Sequence, residues 1–230
     1  MKYIIVGLGN FGGHLAARLT SYGHEVIGID ASEDKVEAVK DKITHAIVMD
    51  ATDAHAVRNL PCKEADAVII AIGEDFGASI MVTAIFKQLH IKRLISRSIN
   101  KVHETVIKAI GVDEILHPEE DSAERMAKSL QMKGVIDSLD VSDDYNIIEV
   151  KAPKRYVGLT ISDTKIRQDY NINVLTLIKM EEKPNIFGIK AKSKKVTGVV
   201  TADTLIEDGD ILLLFGHIKD IEKILKLEDQ

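Results

Sequence analysis

The hexapeptide Gly7-Leu8-Gly9-Asn10-Phe11-Gly12 limits what this chain can fold into more than any other feature of its sequence. It follows the apolar run Tyr3-Ile4-Ile5-Val6 directly and opens a stretch with helical patterning, and the next apolar run ends at Asp30. A G-x-G-x-x-G between a strand and a helix, with an acid closing the following strand, is the fingerprint of a dinucleotide-binding βαβ unit. Each residue has a physical task. Gly7 permits a tight turn, Gly9 lets a pyrophosphate approach backbone amides, and Gly12 lets the helix pack close to the strand. The helix N-terminus adds free N–H groups and a favourable dipole. Asp30, with Ala31 beside it, is placed to accept hydrogen bonds from the adenosine ribose and would repel a 2′-phosphate, which disfavours NADP.

The alternation begun there continues. Apolar, β-branched runs recur at residues 3–6, 25–29, 46–49, 67–72, 93–96 and 114–116, and helix-patterned stretches fall at 14–22, 33–41, 54–60, 79–90, 102–110 and 122–133. Strands that are apolar throughout, each followed by a helix, predict a parallel sheet covered on both faces. Gly23 suits the end of the first helix, and Ser32 is placed to cap the second. The pattern changes after Gly134. Residues 134–144 are polar and acidic and read as a connector. Strand signals dominate from Tyr145, including 173–180 and 211–215, before apolar residues at Ile218, Ile221, Ile224 and Leu225 return to helical spacing. The expected fold class is α/β, a doubly wound Rossmann-type parallel sheet over 1–133, followed by a small α+β domain over 145–230.

Composition narrows the function classes. The formal charge of −6 over 230 residues argues against nucleic acid as a general partner. The single cysteine, Cys62, excludes an intramolecular disulfide and suits a reducing cytoplasm. No apolar run approaches the ~18 residues of a membrane helix, so any membrane role is expected to run through another protein.

Further polar residues fall at the carboxyl ends of strands, where ligands of open α/β sheets bind. Asp50-Ala51-Thr52 follows the third strand and is placed to flank an adenine. Gly73-Glu74-Asp75 follows the fourth, where Glu74 and Asp75 read more simply as loop or capping residues. Arg97 follows the fifth, placed to meet phosphate, and Glu119 follows the sixth, after His117-Pro118; each of the two reads equally well as a solvated loop residue or helix cap.

With these residues in view, the chain resembles the regulatory (RCK) domains of bacterial potassium transporters, in particular the cytoplasmic gating subunits of the Ktr and Trk systems, and it is Ktr-like. The resemblance rests on the glycine loop, on His24-Glu25-Val26 and Ile29-Asp30, on Ala71-Ile72-Gly73, and on Gly111-Val112-Asp113 leading to His117-Pro118-Glu119. It continues with Thr201-Ala202-Asp203-Thr204, Gly209-Asp210 and Gly216, the family's C-terminal regulatory domain. It implies a non-enzymatic ligand sensor, peripheral to the inner face of the cell membrane. Its homodimers assemble into an octameric ring under a membrane pore subunit. The resemblance further implies that NAD, NADH, ATP or ADP binds in the Rossmann cleft, and that Glu119 is placed to hold Mg²⁺, Ca²⁺ or Na⁺ at the dimer interface. The implied nucleotide site comprises Gly7, Gly9, Asn10, Phe11, Gly12, Asp30, Ala31, Asp50, Ala51, Thr52, Ala71, Ile72, Gly73, Arg97 and Glu119. One departure matters: many Ktr members carry arginine where this chain has Asn10, and losing that charge favours a dinucleotide over ATP. Some members bind cyclic di-AMP in the C-terminal domain. Ile166-Arg167 and Tyr170-Asn171-Ile172 are the matching residues, although an ordinary helix and turn is the preferred reading there.

The alternatives are a NAD-dependent oxidoreductase and an NADH-sensing transcriptional regulator. The first needs a proton-transfer group. The adjacent pair His103-Glu104 lies in an amphipathic stretch and is expected at the surface, His117 reads as a loop residue, and no histidine or cysteine spacing suggests zinc. The second needs a basic reading helix, which is not evident. The stretch 122–133 carries Ala123, Met126, Ala127 and Leu130 on one helical stripe that needs covering, either by the sheet of its own domain or, as the family implies, by a second subunit.

Overall fold

In the computed structural model, residues 1–131, 134–184 and 190–226 are described. The chain divides into two compact units, the break falling after Glu120.

The first unit is built on a six-stranded, all-parallel sheet in the order β3-β2-β1-β4-β5-β6. Its strands are β1 (Lys2–Val6), β2 (Glu25–Asp30), β3 (His45–Val48), β4 (Ala67–Ile70), β5 (Leu94–Arg97) and β6 (Glu114–Leu116). The connecting helices are α1 (Asn10–Ser21), α2 (Glu33–Glu37), α3 (Ala54–Val57), α4 (Phe76–Gln88) and α5 (Lys101–Ile110). The apolar strands supply both faces. Ile4, Val6, Val68 and Ile70 join Val82 and Phe86 of α4 in one core layer. Ile5, Ile69 and Val26 pack with Leu8, Ala16 and Val36 in the other. The chain moves outward from β1 through β2 to β3, then returns to β4 on the opposite side of β1. That reversal opens a crevice beyond the carboxyl ends of β1 and β4, where such sheets bind ligands.

Several element bounds differ from expectation, each for a local reason. α1 begins at Asn10 rather than at 14, because the glycine loop itself supplies the first helical turn. β4 stops at Ile70, and Ala71, Ile72 and Gly73 leave the sheet as a loop. The helix expected over 33–41 ends at Glu37, and a 3-10 turn follows at Lys40–Lys42. Gly23 adopts φ +84° just past α1, as its position suggested. Ser32 precedes α2 without a side-chain cap; its N–H instead donates to Asp30 Oδ1 at 2.9 Å.

The second unit is an antiparallel five-stranded sheet in the order β10-β9-β11-β8-β7. These are β7 (Val135–Asp140), β8 (Tyr145–Lys151), β9 (Asn173–Pro184), β10 (Lys190–Val196) and β11 (Ile211–His217). Helices α7 (Ile166–Tyr170) and α8 (Ile218–Lys226) accompany it, and Ile148, Leu177, Leu212, Leu214, Ile221 and Ile224 fill the core. The segment 134–144, read from sequence as a connector, carries β7. Its polar residues are satisfied across the strand pair: Asn146 Nδ2 donates to Ser138 Oγ at 3.2 Å and to Asp140 Oδ1 at 2.8 Å. An edge strand that pairs through polar side chains has the composition of a linker. Ile166 and Ile172, singled out from sequence as possible ligand contacts, belong to this core.

Helix α6 (Pro118–Gln131) begins at the proline, which is tolerated in a first turn, and not at 122. Its stripe is uncovered, with Met126 60% and Leu130 78% exposed. Among the described residues no helix is long and apolar enough to cross a membrane.

Phe86 is fully buried where α4 meets the sheet. Phe86→Ala is expected to cost about 3–5 kcal/mol of stability, the usual range for deleting a core phenylalanine. Urea denaturation followed by circular dichroism measures it.

Candidate functional site

The crevice at the β1–β4 reversal is a cleft of ≈ 370 Å³. The glycine loop forms its floor. Gly7 adopts φ +96°, and a Cβ there would lie 2.9 Å from the Ile72 amide nitrogen. A Cβ on Gly12 would lie 1.8 Å from the Gly7 carbonyl oxygen, so helix and loop can meet this closely only through glycine. A Cβ on Gly9 would meet nothing within 4 Å; this glycine faces open space. The first internal bond of α1 runs from Gly13 N–H to the Gly9 carbonyl at 2.8 Å. No side chain caps this end and its first turn holds no acid, so the leading amides of the helix remain available to an anion.

Asp30 does more than the spacing suggested. Leu8 N–H donates to its Oδ2 at 2.7 Å and Ser32 N–H to its Oδ1 at 2.9 Å. The carboxylate therefore ties the glycine loop to the end of β2. Each oxygen keeps acceptor capacity toward the cleft. At the end of β3, Asp50 Oδ1 accepts from Thr52 Oγ1 at 2.7 Å and from Thr52 N–H at 2.9 Å. The hydroxyl bond, then the amide bond, hold the Asp50 carboxyl below the ordinary carboxylate range.

On the opposite wall Arg97 leaves the end of β5 and crosses Gly73, where a Cβ would lie 2.3 Å from Nη1. Its guanidinium carbon is 6.0 Å from the centroid of the Phe11 ring. It pairs with Glu119 in the first turn of α6, and its buried Nε has no partner among the described residues. The Arg97 side chain is only 18% exposed, so it is a fixed cation with donors to spare.

Of the residues expected at the site, all but Gly12 line this cleft; Gly12 acts beneath it, by packing. Asp75 lines the rim and caps α4, accepting from Ala78 N–H at 2.9 Å, in keeping with its simpler reading. Lys35, Met49, Ala78 and Val82 also line it and were not anticipated. Lys35 lies in α2, beyond the strand end that carries the fingerprint, where sequence spacing gives no reason to expect contact. It pairs with Glu74 at 3.2 Å. Five carboxylates (Asp30, Asp50, Glu74, Asp75 and Glu119) and two cations (Lys35 and Arg97) thus surround the cleft. Among the described residues no group of three or more histidine, cysteine or acidic side chains is arranged to hold a metal.

His103 corrects an expectation. It is fully buried rather than exposed. Helix α5 turns Val102 outward, 68% exposed, and buries His103 and Ile107 one turn apart. The His103 ring lies 5.0 Å from that of Phe76, its Nδ1 accepts from Ile99 N–H at 3.2 Å, and its Nε2 has no partner among the described residues. Its neighbour Glu104 pairs with Lys108 at 3.2 Å and Lys101 at 3.3 Å. Cys62 is buried, which pushes its thiol pKa up and leaves it a poor nucleophile.

Fold and cleft together define a Rossmann-type parallel α/β unit with a crevice at its strand-order reversal, followed by a small antiparallel unit. Residues 3–118 match the TrkA-N domain family. The chain is 34% identical to the Ktr system potassium uptake protein C of Bacillus subtilis over 225 residues, covering 98% of this chain and 96% of that one. It is 32% identical to the Ktr system potassium uptake protein A of the same organism over 222 residues, 96% and 94% of the two chains. This chain belongs to the TrkA-N family, among its Ktr-type potassium uptake proteins. The crystal structure of the GsuK RCK domain shares its fold, with a TM-score of 0.65 at 16% identity, over all of this chain and 48% of that one. So does the GsuK channel bound to NAD, with a TM-score of 0.62 at 17% identity, over 97% and 39% of the two chains. The chain therefore spans less than half the length of these structural neighbours.

Burial holds the His103 imidazole below its ordinary value of 6.5. The unfolded chain takes up a proton near that value and the folded chain does not. This part of the stability is therefore present above pH 6.5 and is lost as pH falls below it. Denaturation midpoints between pH 7.5 and 5.5 should drop, and the drop should be smaller in His103→Gln. Equal slopes would remove His103 from the account.

Proposed function

We propose that this chain is the cytoplasmic, nucleotide-sensing regulatory subunit of a Ktr-type potassium transporter, docked on the inner face of the membrane through a separate pore subunit. The observation that carries the reading is an open cleft with the full phosphate-binding geometry in a chain similar to Ktr proteins along nearly its whole length.

In this reading an adenine nucleotide lies across the cleft. Asp30 bonds the ribose beside Ala31, and Asp50, Ala51 and Thr52 flank the adenine. The phosphates lie over Gly9 against the amides of Asn10, Phe11 and Gly12. Ala71, Ile72 and Gly73 form the far wall, and Arg97 meets the distal phosphate. The uncharged Asn10 favours NAD or NADH over ATP or ADP, because fewer phosphate charges then need neutralising. With carboxylates in excess, a bound phosphate also calls for a metal. Glu119 offers oxygen to Mg²⁺, Ca²⁺ or Na⁺, and the same residue of a second copy completes the site. The uncovered stripe of α6 supports a homodimer, and an octameric ring of such dimers would carry the signal.

The physical mechanism is a population shift: a nucleotide that binds one dimer geometry better than another moves the ring toward it. A ~100-fold preference is worth about 2.7 kcal/mol, and several subunits acting together multiply the bias. No chemical step is needed.

Asp30→Ala should weaken nucleotide binding by about 1.5–3 kcal/mol, the range for hydrogen bonds to a charged group. Calorimetry showing unchanged affinity would remove Asp30 from the site. Glu119→Gln should abolish the dependence of nucleotide affinity on added Mg²⁺ or Ca²⁺, and a dependence that survives would sink the metal assignment. For the biological role, the purified protein should run larger than a dimer, and deleting its gene should impair growth at low potassium. A strict monomer with no potassium phenotype, or robust hydride transfer to a small substrate, would overturn the reading in favour of a dehydrogenase.

A further inference from the structure

The glycine loop carries no cationic side chain of its own: residues 7–13 are Gly-Leu-Gly-Asn-Phe-Gly-Gly. Positive charge at the phosphates must therefore come from elsewhere, and the cleft's two cations are held differently. Arg97 is largely buried, wedged over Gly73, and paired with Glu119. Lys35 is 38% exposed and its partner Glu74 is 87% exposed. A pair so open to water is held weakly and is readily exchanged for a better anion. The two residues come from opposite lips of the crevice, Lys35 from α2 beyond β2 and Glu74 from the loop between β4 and α4. Both line the cleft together with Gly9 and Asn10. Both also line an adjoining groove of ≈ 400 Å³ between α1 and α2, again with Gly9 and Asn10. Their ion pair therefore crosses the mouth of the cleft beside the loop where phosphates would lie.

We propose that Lys35 is a phosphate ligand held in reserve by Glu74. When a nucleotide enters, the lysine exchanges the exposed carboxylate for a phosphate oxygen and supplies the charge that the glycine loop lacks. Glu74 thereby acts as an internal competitor that lowers affinity for highly charged ligands. The long, flexible lysine stem permits the swing. A charge-assisted bond to a phosphate oxygen held by oriented backbone amides is stronger than the exposed pair it replaces. This inference rests on the nucleotide-binding reading above and adds to it a residue that tunes phosphate charge.

The two residues are expected to act with opposite sign, which a merely structural bridge across the cleft mouth would not produce. AMP, NAD, ADP and ATP are titrated calorimetrically into the full chain at fixed ionic strength and one fixed Mg²⁺ concentration. Lys35→Met should weaken ATP binding about tenfold, with a smaller loss for AMP, and Lys35→Arg should restore most of it. Glu74→Gln should tighten ATP binding about threefold. Unchanged or weakened ATP affinity in Glu74→Gln, or an equal loss for AMP and ATP in Lys35→Met, overturns the exchange while leaving nucleotide binding itself standing. Failure of the unaltered protein to bind any of the four nucleotides overturns the nucleotide reading and this inference with it. Thermal melting of each variant without ligand identifies any misfolded variant, and Glu74→Gln alters only a highly exposed side chain.

Discussion

Gly12 and Gly7 meet so closely that neither helix α1 nor the strand-to-helix turn leaves room for a single carbon between them. That approach presses the start of α1 against the ends of β1 and β4 and aims the helix's leading amides into the crevice. The other parts of the cleft are hung on the same contact. Asp30 draws the loop to β2 through the Leu8 amide, and Ile72, in the loop that follows β4, has its amide nitrogen close against Gly7. A side chain at either glycine would separate these pieces and misdirect the amides.

Around this rigid floor the electrostatics are unbalanced. Carboxylates outnumber cations at the rim, and both cations are already engaged by acids. Such a cleft attracts phosphate at short range through oriented amides, while its rim opposes it. Selectivity then depends on which carboxylates a ligand or metal can neutralise. This arrangement suits a sensor that must release its ligand better than it suits a site built for the tightest possible grip.

The second unit was less legible. Its core strands β8, β9 and β11 follow from apolar runs, but β7 reads as linker because its polar residues find partners in Asn146 on the neighbouring strand. α6 presents the reverse case. Its apolar stripe is plain in the sequence, yet among the described residues Met126 and Leu130 on it stay exposed. An amphipathic helix left open in this way needs a partner surface.

What the sequence determined by itself was the parallel sheet, its order of strand and helix, and nearly all of the cleft's walls. These depend on local rules: the periodicity of apolar residues, the stereochemistry of glycine, and the tendency of ligands to bind at the carboxyl ends of strands. Tertiary structure alone decided the rest. It turned His103 inward, because the rotation of an amphipathic helix depends on which side its neighbours occupy. It gave Asp30 two backbone amides to hold, and it brought Lys35 and Glu74 together from opposite lips of the crevice. Ion pairs between residues far apart in the chain leave no periodic trace, since charge interacts through space and each partner alone looks like any solvated side chain.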